Sequence, residues 1–255
     1  MWKTCLSVLA LMSILCSPIT LKAEEISNSL PASELAKYSD SFDTLREDLW
    51  ERQQYTWNEA QRANFKLADI TIQDGRLKVE TQTGGFSKAA LNGKFFFRGD
   101  FDIQIDVSFE FLKKEVKMDQ RVHFLVLEKG KSAADGNFAT IELLKKEGHG
   151  QGALMTLCYS WRKFSQPNER RVDAFHGTLR FVRKGKTVRS LCQDKGASEW
   201  KEIYSCSCTD KDVFVGIGLS NFFLDRSSIK ADDPISATFD NFKINAAQGI
   251  VESEI

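Results

Sequence analysis

The chain is 255 residues long, 42% of them hydrophobic, and its 35 basic residues are balanced by 35 acidic ones. Dedicated nucleic-acid-binding proteins carry a clear basic excess, so this balance argues against a nucleic-acid partner. The length fits one large domain or two small ones, and the absence of an internal linker rich in Pro, Gly and Ser favours one.

The first residues have the pattern of an export signal. Lys3 precedes a short apolar run over residues 5–16, and Ala23 supplies a small residue for cleavage. We therefore predict a signal peptide over residues 1–23 and a secreted or periplasmic protein. An uncleaved anchor and a lipoprotein modified at Cys16 remain open as alternatives, although a leucine precedes that cysteine where lipid modification requires a small residue. No later run approaches the about 20 apolar residues that span a bilayer, so we expect no transmembrane segment after signal removal.

The segments around the strands are assigned by composition. Residues 24–40 are polar and contain Pro31, so they are predicted as a flexible lead-in or a single docked turn. Residues 44–54 are predicted as a short helix or an irregular packed segment. The pattern of residues 41–247 is that of one strand-rich domain, and residues 248–255 are predicted as a C-terminal tail.

The clearest strand covers residues 101–111, FDIQIDVSFEF. Its odd positions are all apolar and its even positions are all polar, which indicates a strand with one buried and one wetter face. Similar segments follow between short turns, such as Asp74 with Gly75. About ten to twelve strands with almost no helix predict an all-β, two-sheet antiparallel sandwich.

The stretch GTLRFVRKGKTV, residues 177–188, predicts a hairpin with Gly185 at its bend. Its basic residues between positions 180 and 186 are expected to lie mostly at and beside the turn. Solvent and acids such as Asp194 and Glu199 would meet them there.

Several segments occur in an order that resembles a known superfamily. They are the Asp74 and Gly75 turn with Leu77, the strand GDFDIQIDV, LRFVRKG followed by a strand and Trp200, FVGIGLS, and the closing ATFDNFKIN. In this order they resemble the concanavalin A-like lectin/glucanase superfamily, and more narrowly the bacterial laminin-G-like jelly rolls of secreted proteins. The resemblance covers roughly residues 41–245 and implies a jelly roll whose concave sheet commonly meets saccharides.

The resemblance also implies where catalytic acids would stand. Glucanases of this superfamily carry Glu-x-Asp-x-Glu on one strand, a motif that this chain lacks. The nearest approach is the series Asp102, Asp106 and Glu110, in which Asp102 and Asp106 would lie about 13 Å apart, too far for a retaining pair without a bulge. If the protein is an enzyme, these acids and Glu142 are its candidate catalytic residues on the concave sheet. The missing motif favours a protein without catalysis.

Four cysteines remain after the signal: Cys158, Cys192, Cys206 and Cys208. An even number in an exported chain suggests disulfides, whose connectivity the sequence leaves open. Cys206 and Cys208 would point to the same face of a strand, where a bond between them would be strained, so we expect one of them to bond Cys192 or Cys158. A metal site on these cysteines is the alternative, but it lacks a second close pair and a neighbouring histidine.

Aromatic residues are the candidate ligand contacts, because sugar rings stack on exposed aromatic rings. Tyr159 and Trp161 end one predicted strand, and Trp57 stands among polar residues. Packing beneath loops is the alternative for all three.

No cofactor is required by the sequence, although a structural calcium ion is conceivable. Asp40 and Asp43 stand near the start of the fold and Asp240 near its end, and sandwiches often bring their terminal strands together. The alternative is that these acids cap turns and face solvent.

The three histidines, His123, His149 and His176, are scattered along the chain. Structural or surface roles are expected for them, because no Ser/His/Asp arrangement can be inferred from their positions.

Two functions from different classes follow. The first is a non-catalytic module that binds a polysaccharide or other glycan, and the second is a glycoside hydrolase that uses the acids named above. A structural or protein-interaction domain, with an envelope protein as its partner, is a third.

Overall fold

The computed structural model describes residues 26–56, 58–111, 113, 115–132, 135–160, 163–165, 169–221 and 234–252. In this part of the chain there are two short helices, α1 (Ala32–Tyr38) and α2 (Glu59–Asn64). The strands are β1 (Trp50–Arg52), β2 (Phe65–Leu67), β3 (Asp69–Gln73), β4 (Arg76–Glu80), β5 (Phe86–Gly93), β6 (Phe95–Glu110), β7 (Gln120–Glu128), β8 (Phe138–Lys145), β9 (Gly152–Ser160), β10 (Lys163–Ser165), β11 (Arg170–Val172), β12 (Ala174–Lys184), β13 (Thr187–Asp194), β14 (Lys201–Ser207), β15 (Val213–Asn221) and β16 (Ser236–Glu252).

The strand pairings form two layers. Sheet I runs β9, β8, β7, β15, β5, with β10 and β11 beside β9 and with β1 and β2 beside β5. Sheet II runs β3, β4, β16, β6, β12, β13, β14. One pairing, Val213 with Phe97, connects the layers. All pairs are antiparallel except β2 with β5.

The core lies between the two sheets because alternate residues of each strand point inward. On β6, the apolar odd positions from Phe101 to Phe109 are at most 3% exposed. Across the interface, the rings of Phe124 on β7 and Phe181 on β12 lie 5.1 Å apart at their centroids. The period-two pattern in the sequence therefore predicts the buried face of this strand correctly.

Two turns have the backbone geometry that their residues suggested. Asp74 and Gly75 both have positive φ, 52° and 67°, between β3 and β4, which is the geometry of a type I′ hairpin turn. Gly185 has φ 57° at the bend between β12 and β13. The hairpin over residues 177–188 is therefore present.

The positions of its arginines differ from the expectation. Arg180 is buried and forms an ion pair with Asp102 on β6, donating from Nε to Oδ1 at 2.7 Å. Arg183 is 1% exposed, donates to the carbonyl oxygens of Gly99 and Lys211, and stacks on Phe101. Strand alternation places Arg180 on the outer face of sheet II and Arg183 between the two sheets. Both side chains are buried, so neither faces solvent near the turn.

The chain ends differ from the sequence prediction in detail. Residues 24–40 contain α1, whose Leu35 is buried, and the Leu30 N–H donates to the Ala247 carbonyl oxygen. The lead-in is thus docked on β16. Because β16 continues through Glu252, residues 248–252 belong to the last strand and not to a tail. The long strand persists because it pairs with β6 as far as Glu252.

One helix was not predicted. α2 follows Asn58, whose side chain accepts from the Gln61 N–H while the Gln61 side chain accepts from the Asn58 N–H. This reciprocal capping box satisfies two free amides and begins a helix in a stretch without apolar periodicity. Residues 44–54 instead form turns followed by β1, the irregular alternative.

A disulfide joins the two sheets at one edge. Cys158 on β9 bonds Cys206 on β14, with their Cα atoms 6.6 Å apart. This is one of the pairings that the sequence left open, in which Cys206 or Cys208 bonds Cys192 or Cys158. Cys192 and Cys208 are buried free thiols, and burial raises the pKa of Cys208 to about 12.

Within the described residues, no helix has the length and apolar character needed to cross a membrane.

Candidate functional site

The outward face of sheet I carries the candidate site. Because Val122, Phe124 and Val126 of β7 point into the core, the residues between them point outward, and strand register extends this face across the sheet. In rows across β5, β15, β7, β8 and β9, the outward residues are Lys88, Ser220, Arg121, Leu144 and Ala153; Ala90, Gly218, His123, Glu142 and Met155; Asn92, Gly216, Leu125, Thr140 and Leu157; and, without a β5 member, Phe214, Leu127, Phe138 and Tyr159.

Two glycines flatten the middle of this face. Gly216 and Gly218 occupy outward positions on β15, where other strands carry side chains. A Cβ atom at Gly218 would lie 2.7 Å from His123 Cε1 and 2.7 Å from Ala90 Cβ. The imidazole of His123 therefore lies against the β15 backbone, in space that a larger residue at position 218 would fill.

A cleft of about 1000 Å³ opens over the end of this face. Asn92, Leu125 and Phe214 lie on its floor, in rows adjoining the glycines. Its walls include Phe96, whose ring carries the Lys129 ammonium 4.2 Å from its centroid, and Tyr38, whose hydroxyl donates to Glu252 Oε1 at 3.0 Å. Half-buried aromatic rings next to amide and charged groups suit a ligand with apolar faces and many hydroxyls.

A buried polar cluster lies in the row next to Asn92 and Leu125 of the cleft floor. Glu142 and His123 are directly paired across β8 and β7. Glu142 Oε2 lies 3.5 Å from Arg121 Nε and accepts no hydrogen bond from the described residues. The Thr140 hydroxyl, on the same face of β8, likewise has no hydrogen-bond partner in the part of the chain that the structure describes. Buried oxygens of this kind are rare in protein interiors, and they mark the cluster as a candidate site.

Burial controls the charges of this cluster. It raises the pKa of Glu142, against the opposing influence of the Arg121 cation. It lowers the pKa of His123 to about 3, with Arg121 and Lys88 contributing, so the imidazole is neutral at ordinary pH. Burial also lowers the pKa of Lys88 to about 8. The cluster thus offers a neutral imidazole and a carboxyl group with an increased tendency to hold its proton.

Among the outward residues of the five described strands, Glu142 is the one acid. The positions two residues before and after it are Thr140 and Leu144. A glycoside hydrolase needs two carboxyl groups, about 5–5.5 Å apart for retention and about 6.5–9.5 Å apart for inversion. These strands therefore supply half of such a pair.

The other predicted catalytic acids lie on the opposite side of the sandwich. Asp102, Asp106 and Glu110 point outward from β6 in sheet II, so the core separates them from Glu142. Asp106 accepts from Thr178 Oγ1 at 2.5 Å and from Asn241 Nδ2 at 3.0 Å. The four acids do not form one site, because residues of different sheets that point outward face away from each other.

The predicted aromatic contacts have different outcomes. Tyr159 lies at the edge of the sheet I face, half-buried, with its ring stacked on Phe138 at 5.7 Å between centroids. Trp57 and Trp161 lie outside the described residues. The contacts that the sequence did not single out are Phe214, Phe96 and Asn92, although the glycines of VFVGIGLS marked a strand with unusual outward positions.

The acids proposed for calcium are brought to one end of the fold by the pairing of Asp40 with Phe242. The Asp40 carboxylate accepts from the Phe42 N–H and from Trp50 Nε1, each at 2.8 Å, while Asp43 accepts from Ser41. Asp240 lies 3.4 Å from the Arg76 guanidinium. Over the described ranges, no three His, Cys, Asp or Glu side chains are grouped so as to hold a metal ion. The calcium site stays a prediction.

Comparison with known proteins gives a family and a fold. A family described as "Protein of unknown function (DUF1583) C domain" matches residues 35–251. No curated protein sequence matches the chain.

Three solved structures share the fold at low identity. A prokaryotic β-1,3-1,4-glucanase (lichenase) derived from a mouse hindgut metagenome is 13% identical, with a TM-score of 0.57 over 81% of this chain and 97% of that chain. A LamA variant from Zobellia galactanivorans, in complex with laminaritriose and laminaritetraose, is 10% identical, with a TM-score of 0.57 over 86% and 99%. The CBM2 module of Lactobacillus casei BL23 phage J-1 evolved Dit is 8% identical, with a TM-score of 0.52 over 82% and 96%.

These similarities confirm the predicted all-β jelly-roll fold, which the chain shares with glucanases. The narrower laminin-G-like assignment stays a prediction.

Proposed function

The chain belongs to the family described as "Protein of unknown function (DUF1583) C domain", and from the geometry of sheet I we propose that it binds a polysaccharide without cleaving it. The observation that carries this proposal is the cleft of about 1000 Å³ at the end of a sheet face on which the acids do not form a catalytic pair: Glu51 of β1 lines the cleft, and Glu142 lies four strands away on β8. Next to the cleft, Gly216 and Gly218 carry no side chain that would block a chain of sugar rings. Phe214 and Phe96 provide stacking surfaces, and Asn92 provides hydrogen bonds to hydroxyls.

The fold similarity supports the ligand class. One structural neighbour is described in complex with laminaritriose and laminaritetraose, and another is described as a CBM2 module. At these identities the similarity concerns the fold, so the ligand class is assigned to this chain from the cleft's own residues.

We also propose that the protein acts after export, in the periplasm or outside the cell. The leader pattern over residues 1–23 supports this location. The disulfide between Cys158 and Cys206 supports it independently, because such bonds persist in oxidising compartments.

A glycoside hydrolase is the second candidate, because of Glu142. A buried carboxyl group with a raised pKa and an oxygen without a partner has the properties of a general acid. The other acid on this face, Glu51, is four strands away from Glu142, and this separation makes binding the preferred function.

Affinity electrophoresis and titration calorimetry with laminarin, lichenan and other soluble polysaccharides test the proposal. We expect retention of the full chain by at least one polysaccharide without release of reducing ends. Phe214→Ala should weaken binding by about 10-fold or more, since burying a Phe side chain contributes about 1.5–3 kcal/mol. Asn92→Ala should also weaken binding, and Gln73→Ala, an exposed amide on β3 of the other sheet, is the matched control.

The outcomes separate the three functions. Release of reducing ends that is lost in Glu142→Gln would replace the proposal with the hydrolase. If no polysaccharide of the panel retains the protein or is cleaved by it, both carbohydrate functions are overturned. A protein-interaction domain is then the function that is left.

A further inference from the structure

Three polar side chains form a continuous row on the outward face of sheet II. Ser108 on β6 lies directly across from His176 on β12, and its Oγ atom is 2.6 Å from His176 Nδ1. Glu110, two residues after Ser108 on the same face, places Oε1 3.2 Å from His176 Nε2. One imidazole therefore links a hydroxyl and a carboxylate.

The partners of His176 determine which of its nitrogens carries the proton. An ionised carboxylate accepts hydrogen bonds and donates none, so Nε2 beside Glu110 bears the proton in the neutral ring. The lone pair then lies on Nδ1, which accepts the Ser108 O–H. This is the arrangement in which an imidazole can remove a proton from a serine, with the carboxylate holding the required tautomer.

A cavity of about 310 Å³ opens beside this row. Ser108 and His176 both line it, so the hydroxyl that the imidazole can activate faces space for a small substrate. Two cations, Arg76 and Lys195, also line the cavity. Three carboxylates, Asp106, Asp194 and Asp240, line it as well.

Several other polar groups of the cavity pair with one another. Asp106 holds Thr178 and Asn241, and Asp240 lies 3.4 Å from Arg76. In contrast, the imidazole of His176 has Ser108 and Glu110 as its polar partners among the described residues. The arrangement is thus a separate unit within the polar surface of the sheet.

We propose that Ser108, His176 and Glu110 form a hydrolytic site for small acyl esters. Ser108 Oγ bonds to the ester carbonyl carbon while its proton passes to His176 Nδ1. The ester C–O bond then breaks, and the alcohol leaves with that proton. Water attacks the acyl-serine, gives its proton to Nδ1, and releases the carboxylic acid as the proton returns to Ser108. Ser108 and His176 are the catalytic residues, and Glu110 is a positioning residue.

The site is independent of the proposed polysaccharide cleft, because the two lie on opposite outward faces of the sandwich. Loss of one activity by mutation leaves the other intact. A protein that binds no polysaccharide can still hydrolyse esters, and a protein that hydrolyses no ester can still bind a polysaccharide.

Labelling with an alkyl fluorophosphonate probe and hydrolysis of p-nitrophenyl acetate test the proposal on the full chain. Mass spectrometry of the labelled protein is expected to place the adduct on Ser108. Ser108→Ala should abolish the adduct, and His176→Gln should slow labelling by about 100-fold, in line with the contribution of a general base. Ser205→Ala, which removes an exposed serine from β14 of the same sheet, should label as the parent protein does.

Glu110 is tested by a readout that distinguishes positioning from folding. Glu110→Gln should lower kcat for the acetate ester by about 10-fold or more with little change in KM, and Glu110→Asp should recover part of that loss. An unchanged thermal transition in these variants establishes that they are folded.

Absence of an adduct on Ser108, under conditions that label a serine esterase to completion, overturns the proposal. So does an adduct that persists at an unchanged rate in His176→Gln. Hydrolysis that continues in Ser108→Ala assigns the activity to another group and has the same effect.

Discussion

Loss of the carboxylate charge at Asp102 is expected to destabilise the protein strongly. The Asp102 and Arg180 side chains are 4% and 9% exposed, and Arg180 donates from Nε and from a terminal nitrogen to the two carboxylate oxygens. Asn245 donates to the same carboxylate at 3.1 Å, and the Trp200 ring lies 5.0 Å from the guanidinium carbon. In Asp102→Asn, the Arg180 cation stays buried without its counter-ion.

The magnitude follows from this burial. Removing one member of a buried ion pair costs about 3–5 kcal/mol, because the remaining charge keeps its desolvation penalty. For a urea dependence of about 3 kcal/mol/M, the midpoint of unfolding falls by about 1–2 M. Replacing both members, as in Asp102→Leu with Arg180→Met, should recover most of the loss, since no buried charge remains.

Urea unfolding followed by tryptophan fluorescence measures these changes. Glu34→Gln is the matched control, since Glu34 pairs with Lys37 at the surface and should change the free energy of unfolding by less than about 0.5 kcal/mol. A loss below about 1 kcal/mol in Asp102→Asn, or a double variant as unstable as the single one, would refute the claim that burial of the pair determines its effect.

Three further predictions concern the fold and the sheet I face. The 48-residue separation of Cys158 and Cys206 predicts that the double alanine variant loses about 4 kcal/mol of unfolding free energy in urea; an unchanged midpoint would contradict it. Gly218→Ala should cost about 1–3 kcal/mol, since its Cβ would lie 2.8 Å from the Ala89 carbonyl oxygen, whereas Gly150→Ala, with open space around it, should be neutral. His123 has a pKa lowered to about 3 by burial, so the unfolded state binds the extra proton as pH falls below about 6.5, and stability is lost in that direction. The charged groups that face the ring are Arg121, Lys88 and Glu142, so the test compares wild type with His123→Gln. The wild type should lose about 2 kcal/mol more unfolding free energy between pH 7.5 and pH 5. Parallel pH profiles of the two proteins would count against a buried neutral imidazole.

The candidate sites differ in how far the sequence predicted them. The alternation of residues 101–111 predicted that Ser108 and Glu110 share a face, because strand geometry is local. It could not predict that His176 stands across from Ser108, since that contact depends on the register between strands 68 residues apart. The same limit applies to Glu142, because its separation from Asp102 depends on their strands lying in different sheets.

The buried arginines illustrate a second limit. The sequence around Arg180 and Arg183 has the composition of an exposed hairpin. Their burial depends on partners distant in the chain, since Arg180 pairs with Asp102 and Arg183 donates to the Gly99 carbonyl oxygen.

The amino-acid sequence by itself determined the fold class, the strand at residues 101–111 and the turns at Gly75 and Gly185, because period-two burial and positive backbone angles are properties of adjacent residues. Only the tertiary structure decided which cysteine bonds Cys206, which acids face each other and where a cleft opens. Those features depend on strand order and register, which bring together residues distant in the chain.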